Sequence, residues 1–440
     1  MKFRIPVIIS FALLITSLII YFTKGGEPAG PFLIGFFVML AISFHYHSFL
    51  KSFAYTMWIF AAVSVSMYYP DSFSHIGDFD TKKMIVPLLQ IIMFGMGSQM
   101  SVKDFIGVIK MPKGVIVGIV CQFTIMPIIG ISIALVFGFP PEIAAGIVLV
   151  GSSPSGLASN VMSFIAKANL ALSVTLVALA TLLSPLITPA LMKLLAGQYI
   201  DVDFWKMMLD IIDMVILPIV AGLMLNAIAF GREKKKAVIM EMLVYVSIVL
   251  IKNFIFFKTS DASLNEASMA FLKNLGWFIV LPIVGGYILN HYAKGSKDIL
   301  SRVLAFISML GIGIIITIIT AAGRDSLLEI GALLILACLL HNILGYFLGY
   351  WTCRLIGLDE KSCRTISLEV GMQNGGLASG IALQMGKVAT VGLAPAVFGP
   401  MMNITGSSLA TWWRGKSTGE EVDKNLGNKE IQEDNEQSTN

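Results

Sequence analysis

Apolar runs of membrane-crossing length follow one another along almost the whole of this 440-residue chain. They fall at about 5–22, 31–50, 53–69, 84–100, 114–138, 143–165, 170–195, 207–230, 237–257, 271–292, 299–322, 327–355, 363–387 and 389–412. A bilayer core about 30 Å thick needs roughly 20 apolar residues in a helix. Lipid offers the backbone no hydrogen-bond partners, so segments that cross it must satisfy their own. Fourteen runs separated by short loops therefore predict an all-α polytopic membrane protein with no soluble module. Charged residues make up 13% of the chain and the mean hydropathy is +0.82, whereas soluble domains carry about 25% charged residues. The first run follows Lys2 and Arg4 as a signal peptide would, but Thr23-Lys24-Gly25-Gly26 offers no small-residue cleavage pattern, so it reads as a first span. The polar segment after Trp413 has no apolar period and is expected to be disordered.

Several function classes lack their residues. The four cysteines, Cys121, Cys338, Cys353 and Cys363, form no CxxC pair, which argues against a disulfide framework or a zinc site. No nucleophile–base arrangement or phosphate loop is visible, and the +4 net charge is spread over loops rather than gathered as a nucleic-acid patch. Alternate loops differ in Lys and Arg. One set holds Lys103, Lys110, Lys113, Arg232, Lys234–236, Lys294, Lys297, Arg302, Arg354, Lys361 and Arg364; the other is poorer, with Lys82, Lys83, Lys258 and Arg324. The richer set shares a side with both termini, which places both ends in the cytoplasm, with the chain in a bacterial-type plasma membrane.

The chain also repeats itself. Gly156-Leu157-Ala158-Ser159 recurs as Gly376-Leu377-Ala378-Ser379, an offset of 220. At the same offset Gln122 meets Asn342, and Phe137-Gly138-Phe139 resembles Ile356-Gly357-Leu358 one residue out of step. Seven span-to-span steps separate the copies, so the two halves should have opposite topology, as in many secondary transporters. A shorter echo pairs Leu217-Pro218-Ile219-Val220 with Leu281-Pro282-Ile283-Val284, either as two similar kinked helices or as a local duplication.

Two repeat-related spans are interrupted, by Gly151-Ser152-Ser153-Pro154-Ser155-Gly156 and by Gly371-Met372-Gln373-Asn374-Gly375-Gly376. Irregular backbone at membrane depth is tolerated only inside protein or along a watery cavity. Its carbonyls can hold cations and its helix N-termini attract anions. Glu369 precedes the second break with no Lys or Arg in the same helix core; Arg364 is over a turn away. An intramembrane carboxylate marks function by default and needs a partner, which here reads as a monovalent cation. Other polar groups have blander readings: Asp210 and Asp213 as structural residues near an interface, Glu241 and Lys252 as structural pairing groups, and His341 as a packing residue.

Around these breaks the chain resembles the bile acid:sodium symporter family. The similarity rests on Phe94-Gly95-Met96-Gly97, Gln122-Phe123-Thr124-Ile125-Met126-Pro127, Ala158-Ser159-Asn160-Val161-Met162, Ala171-Leu172-Ser173, the stretch Glu369 to Ala378, and Asn403-Ile404-Thr405-Gly406-Ser407. The resemblance implies a ten-span fold with a panel domain and a core domain, the core holding two broken, crossing helices. Residues 1–52 would then be additional N-terminal spans, 53–415 the symporter-like domain with an inserted helix pair within 207–292, and 416–440 a cytoplasmic tail. It implies a first sodium site at Ser159, Asn160, Ser173 and Glu369. A second would take Gln122, Glu369, Gln373 and the main-chain carbonyls of Val370 and Met372. Substrate would lie near Asn374, Leu157 and Asn403. Relatives carry a threonine hydroxyl where this chain has Val177, and a small hydroxyl residue in place of Leu157. The expected function is sodium-coupled symport of a small organic anion by alternating access, with sodium ions as the coupling ions and no cofactor or transition metal. A proton-coupled carrier titrating at Glu369 is the alternative; the neutral oxygen groups nearby favour sodium. An intramembrane enzyme would need a nucleophile or metal dyad, and a sodium-gated sensor would differ only in lacking flux. Bile acid, pantothenate, keto acid and steroid sulfate all stay open as substrates.

Overall fold

A computed structural model describes residues 3–47, 50–100, 107–230, 234–259, 276–292 and 297–418; the tail beyond 418 lies outside them. Each of the fourteen apolar runs coincides with helix. In order these are α1 (Arg4–Lys24), α2 (Gly26–His45), α3 (Ala54–Tyr68), α4 (Ile85–Gln99), α5 (Pro112–Phe137), α6 (Pro141–Ser152), α7 (Ala158–Ile165), α8 (Leu170–Leu191), α9 (Phe204–Ile211), α10 (Leu217–Phe230), α11 (Lys234–Thr259), α12 (Leu281–Tyr292), α13 (Lys297–Ala322), α14 (Arg324–Leu355), α15 (Glu360–Gly371), α16 (Gly375–Gln384) and α17 (Leu393–Arg414). Among the described residues seven helices are long and apolar enough to cross a membrane. The remaining runs are the two interrupted spans, several shorter helices, and the 22-residue α17, which is less apolar. The chain is an all-α polytopic membrane protein.

The second run is displaced from its expected position. Helix α2 starts at Gly26 rather than 31 and stops at His45 rather than 50. Gly25 sits at φ 92° and its N–H caps α1 on the Tyr21 carbonyl, a backbone geometry that favours glycine. The chain therefore reverses within one residue. The resulting hairpin is antiparallel, with Ser17 Oγ donating to the Ala29 carbonyl and Ser43 Oγ to the Phe3 carbonyl. Helix α2 then packs along α3, where Gly30 lies under the Tyr68 ring; a Cβ there would come within 2.6 Å of it.

Helices α4 and α10 touch backbone to backbone. A Cβ at Gly97 would lie 2.1 Å from the Ile219 carbonyl oxygen, and one at Gly222 would lie 2.2 Å from the Phe94 carbonyl oxygen. Helix–helix contacts in membranes rely on such small residues, because lipid supplies no hydrophobic drive between helices. Helix α12 packs on α10, with Gly286 against Ile228. Both LPIV stretches begin directly after a π-helical turn, Ile212–Ile216 before α10 and Gly276–Val280 before α12. The echo thus extends from four residues to a shared local geometry.

Asp213 is more than an interfacial residue. It lies in the π turn before α10 and forms an ion pair with Lys252 of α11, while its carbonyl accepts a hydrogen bond from Gln90 Nε2 at 3.2 Å. Lys252 therefore finds its partner on another helix; the side chain of Glu241 lies outside the described residues. The Lys252 side chain is 9% exposed and that of Asp213 38%, which makes the pair asymmetric. Asp213→Asn leaves a buried ammonium without its counter-charge, and losing a buried partner costs up to about 3–5 kcal/mol. Lys252→Met leaves a carboxylate on the more exposed side chain of the pair, which burial penalises less. Thermal unfolding in detergent should therefore show Asp213→Asn to be the more damaging change. Equal losses would mean that both charges are equally solvated.

Candidate cation site at the meeting of two broken helices

The polar breaks between α6 and α7 and between α15 and α16 meet in the protein interior. Ser155 and Gln373 form an isolated antiparallel bridge. On one side of it the Asn374 N–H donates to the Pro154 carbonyl at 2.8 Å, and on the other the Gly156 N–H donates to the Met372 carbonyl at 3.0 Å. The groups freed by Pro154 and the glycines are thus satisfied by the opposite break, as backbone buried at this depth requires. Gly156 permits the approach, since a Cβ there would lie 3.1 Å from the Gln373 carbonyl oxygen.

Amides from flanking helices complete the accounting. Gln122 on α5 donates through Nε2 to the Ser153 carbonyl at 3.0 Å and to Gln373 Oε1 at 2.7 Å. Gln373 Nε2 donates to the Val370 carbonyl at 2.6 Å. Asn342 on α14, the repeat mate of Gln122, donates through Nδ2 to the Gly371 carbonyl at 2.8 Å. Its own oxygen accepts from Thr405 on α17, and Tyr346 OH donates to the Met402 carbonyl at 3.3 Å beside it. Sequence reasoning registered Asn342 only as a repeat partner and Thr405 only as part of a motif. An amide within an apolar run was the available signal for Asn342; Thr405 offered only a hydroxyl, which apolar helices carry at many positions.

Glu369 is 2% exposed and has no Lys or Arg partner among the described residues. Arg364, the nearest basic residue in the chain, is equally buried but committed elsewhere. It pairs with Glu360 at 2.8 Å and donates to the Ala166, Trp413 and Ser417 carbonyls. One oxygen of Glu369 accepts from Ser173 Oγ, which also bonds Asn160 Oδ1 at 2.8 Å. The hydroxyls of Ser155 and Ser159 lie beside the same carboxylate, and Ser159 Oγ donates to the Gly156 carbonyl at 2.8 Å. Three oxygens in this cluster are buried without a hydrogen bond: Glu369 Oε2, Gln122 Oε1 and Ser155 Oγ. An unmet buried polar atom costs about 1–3 kcal/mol, more when charged. Buried oxygens converging without a donor offer what a hard cation binds.

The structure therefore joins Ser159, Asn160, Ser173 and Glu369 in one cluster and Gln122, Gln373 and the Val370 carbonyl in another, while the Met372 carbonyl accepts from the Gly156 N–H. Val177, one helical turn beyond Ser173 on α8, is buried. The residues expected near substrate are less unified. Asn374 caps α16, its Oδ1 accepting from the Leu377 N–H at 3.0 Å. Leu157 is half-buried at the start of α7, and Asn403 is half-buried on α17; no hydrogen bond joins these three. The remaining carboxylates and imidazoles do not converge here. His341 is buried and donates through Nε2 to the Met126 carbonyl at 2.9 Å, a packing role.

Comparison with known proteins agrees with this architecture. Residues 86–265 match the family described as Sodium Bile acid symporter family. A Bacillus subtilis (strain 168) protein named uncharacterized sodium-dependent transporter YocS is 31% identical over 361 residues, covering 82% of this chain and 90% of that protein. The chain belongs to the sodium bile acid symporter family. The probable sodium/metabolite cotransporter BASS1, chloroplastic, of Arabidopsis thaliana is 29% identical over 82% of this chain and 73% of its own length. Its counterpart of the same name in Oryza sativa subsp. japonica is 26% identical over the same shares. Membership makes the chain a transporter of a sodium-dependent family and not an enzyme.

Proposed function

We propose that this protein is a sodium-coupled symporter that carries a small organic anion by alternating access. The observation that carries the reading is Glu369: a buried carboxylate without a basic partner, at the meeting of two broken helices, among oxygens that lack donors. In this reading the first sodium is held by Ser159, Asn160, Ser173 and Glu369. The second is held by Gln122, Glu369, Gln373 and the carbonyls of Val370 and Met372. Sodium supplies the positive charge that makes the ionised carboxylate affordable in a low-dielectric interior, and its binding ties the two breaks together. The substrate carboxylate or sulfate docks beside Asn374, near Leu157 and Asn403. The Asn374 oxygen is occupied as a helix cap, which leaves its amide N–H groups and the N-terminus of α16 to face an anion.

The moving parts follow from the packing. Helices α5–α8 and α14–α17 form the core, an inverted pair of repeats around the crossing. Helices α3, α4, α10 and α13 form the panel, against which the core rocks. Helices α1–α2 and α11–α12 are additions, since α10 rather than α12 makes the close contact with α4. Both termini face the cytoplasm of a bacterial-type plasma membrane.

The test is uptake into proteoliposomes of taurocholate, pantothenate, pyruvate and a steroid sulfate. An inward sodium gradient should drive accumulation of at least one, and a potassium gradient none. Accumulation driven by a pH gradient without sodium would favour proton coupling at Glu369 instead. Removing residues 1–50 is a separate expectation. Every proposed sodium ligand lies between Gln122 and Gln373, and α2 packs on α3 rather than on the crossing, so the truncated protein should keep its sodium-induced thermal stabilisation. Loss of that stabilisation in a well-folded truncation would place α1–α2 within the working core.

A further inference from the structure

Ser155 lies beside the Glu369 carboxylate, yet its hydroxyl completes no hydrogen bond of normal geometry. Ser173 Oγ lies within hydrogen-bond reach of both Glu369 and Asn160, and Ser159 donates to the Gly156 carbonyl. Ser155 Oγ is 1% exposed as part of its residue and has neither donor nor acceptor. Apolar packing does not require a hydroxyl here, and leaving one unmet destabilises the fold. Nor can the side chain relax easily toward a partner. The backbone on either side is pinned by the Asn374-to-Pro154 and Gly156-to-Met372 hydrogen bonds, and Ser155 itself lies in the bridge to Gln373. A short side chain is thus held rigidly beside the Glu369 carboxylate, one oxygen of which, Oε2, is itself without a hydrogen bond.

We propose that the Ser155 hydroxyl is a further ligand of the cation held at Glu369. The inference rests on the reading of Glu369 as the sodium-binding carboxylate and adds an oxygen to its first site. A cation between Ser155 Oγ and Glu369 Oε2 satisfies both orphaned atoms at once, and the hydroxyl proton then remains free to turn toward a neighbouring acceptor. Such a ligand is pre-organised by the crossing, so little ordering is required when the ion binds. It also makes the sodium affinity depend on the integrity of the bridge between the breaks, because the residue that pairs with Gln373 carries the oxygen. Val177, on the same face of α8 as Ser173 and one turn beyond it, contributes no oxygen to this cluster.

Sodium-dependent thermal shift on the purified full chain, with potassium as control, tests the assignment. Ser155→Ala should raise the sodium midpoint at least fivefold while leaving the sodium-free protein equally or more heat-stable, because an unmet hydroxyl has been removed. Ser155→Gly serves the same purpose where the alanine variant does not fold. Adding Val177→Thr to Ser155→Ala supplies a hydroxyl from the facing helix and should recover at least half of the loss. Glu369→Ala, measured in parallel, should abolish the sodium response. An unchanged midpoint in Ser155→Ala, with the response still lost in Glu369→Ala, would overturn the role of Ser155 and leave the site standing. A sodium response preserved in Glu369→Ala would overturn the site itself.

Discussion

Glu369→Ala is expected to reduce sodium-driven uptake to background while the protein remains inserted and folded. Among the described residues the carboxylate is the one negative charge at the crossing, and no basic residue pairs with it. Removing it therefore leaves no buried cation unpaired, which is the usual source of large losses when half of an ion pair is deleted. The broken helices are held by backbone and amide hydrogen bonds from Gln122, Asn342 and the opposite break, none of which uses Glu369. Affinity for the ion should fall more than about 100-fold, since disturbing even the outer partners of metal ligands costs about 10–100-fold. Gln122→Ala and Gln373→Ala should weaken sodium binding by less, because each removes a neutral oxygen from one cluster. Proteoliposome uptake paired with a thermal melt separates the two effects. A variant that melts normally and does not accumulate substrate is the expected result; undiminished sodium-driven accumulation would remove Glu369 from the mechanism.

The second large effect concerns folding. Gly222→Ala should destabilise the protein by about 3 kcal/mol or more, at or beyond the upper end of the usual overpacking cost. The added methyl would meet the Phe94 carbonyl oxygen at 2.2 Å and the Ser98 nitrogen at 2.5 Å. Both are backbone atoms, so no side chain can swing aside, and α4 and α10 would have to separate along the contact. That separation would also pull Asn226 from the Ser98 carbonyl, to which its amide donates. Gly313→Ala is the matched control. Gly313 lies inside α13 with nothing within 4 Å of an added Cβ, so alanine should be neutral or stabilising there by about 0.5–1 kcal/mol. Size-exclusion profiles and melting temperatures of the two variants should diverge sharply. Similar behaviour would mean that the α4–α10 contact is looser than the glycines require.

The helices were legible because lipid makes length and apolarity nearly sufficient: each apolar run became helix, and the one clear displacement, at α2, arose from the conformational freedom of Gly25. The two breaks and Glu369 were legible because polar residues, proline and glycine at membrane depth have few structural excuses. Tertiary partners were less so. Arg364 reads in sequence as an interfacial residue, yet it is buried among the carbonyls at the ends of α7 and α17, which no local pattern announces. Asp213 and Lys252 each looked structural, but nothing in their spacing paired them across 39 positions. The close approach at Gly97 and Gly222 is hidden because a glycine in an apolar run gives no sign of what it faces: Gly222 meets the backbone of α4, whereas Gly313 has nothing within 4 Å of an added Cβ. Ser155 reads in the break as one polar residue among several; Ser153 donates to the Leu149 carbonyl, and of the two break hydroxyls without a hydrogen bond, Ser152 and Ser155, it is Ser155 that lies beside Glu369.

Sodium titration of the purified chain, followed by heat stability in the absence of substrate, tests the central assignment most directly, because it needs no knowledge of what is carried. The account predicts saturable stabilisation by sodium, none by potassium at equal ionic strength, and none by either salt in Glu369→Ala. Equal stabilisation by the two salts in the parent chain, or a sodium response that survives in Glu369→Ala, would contradict it.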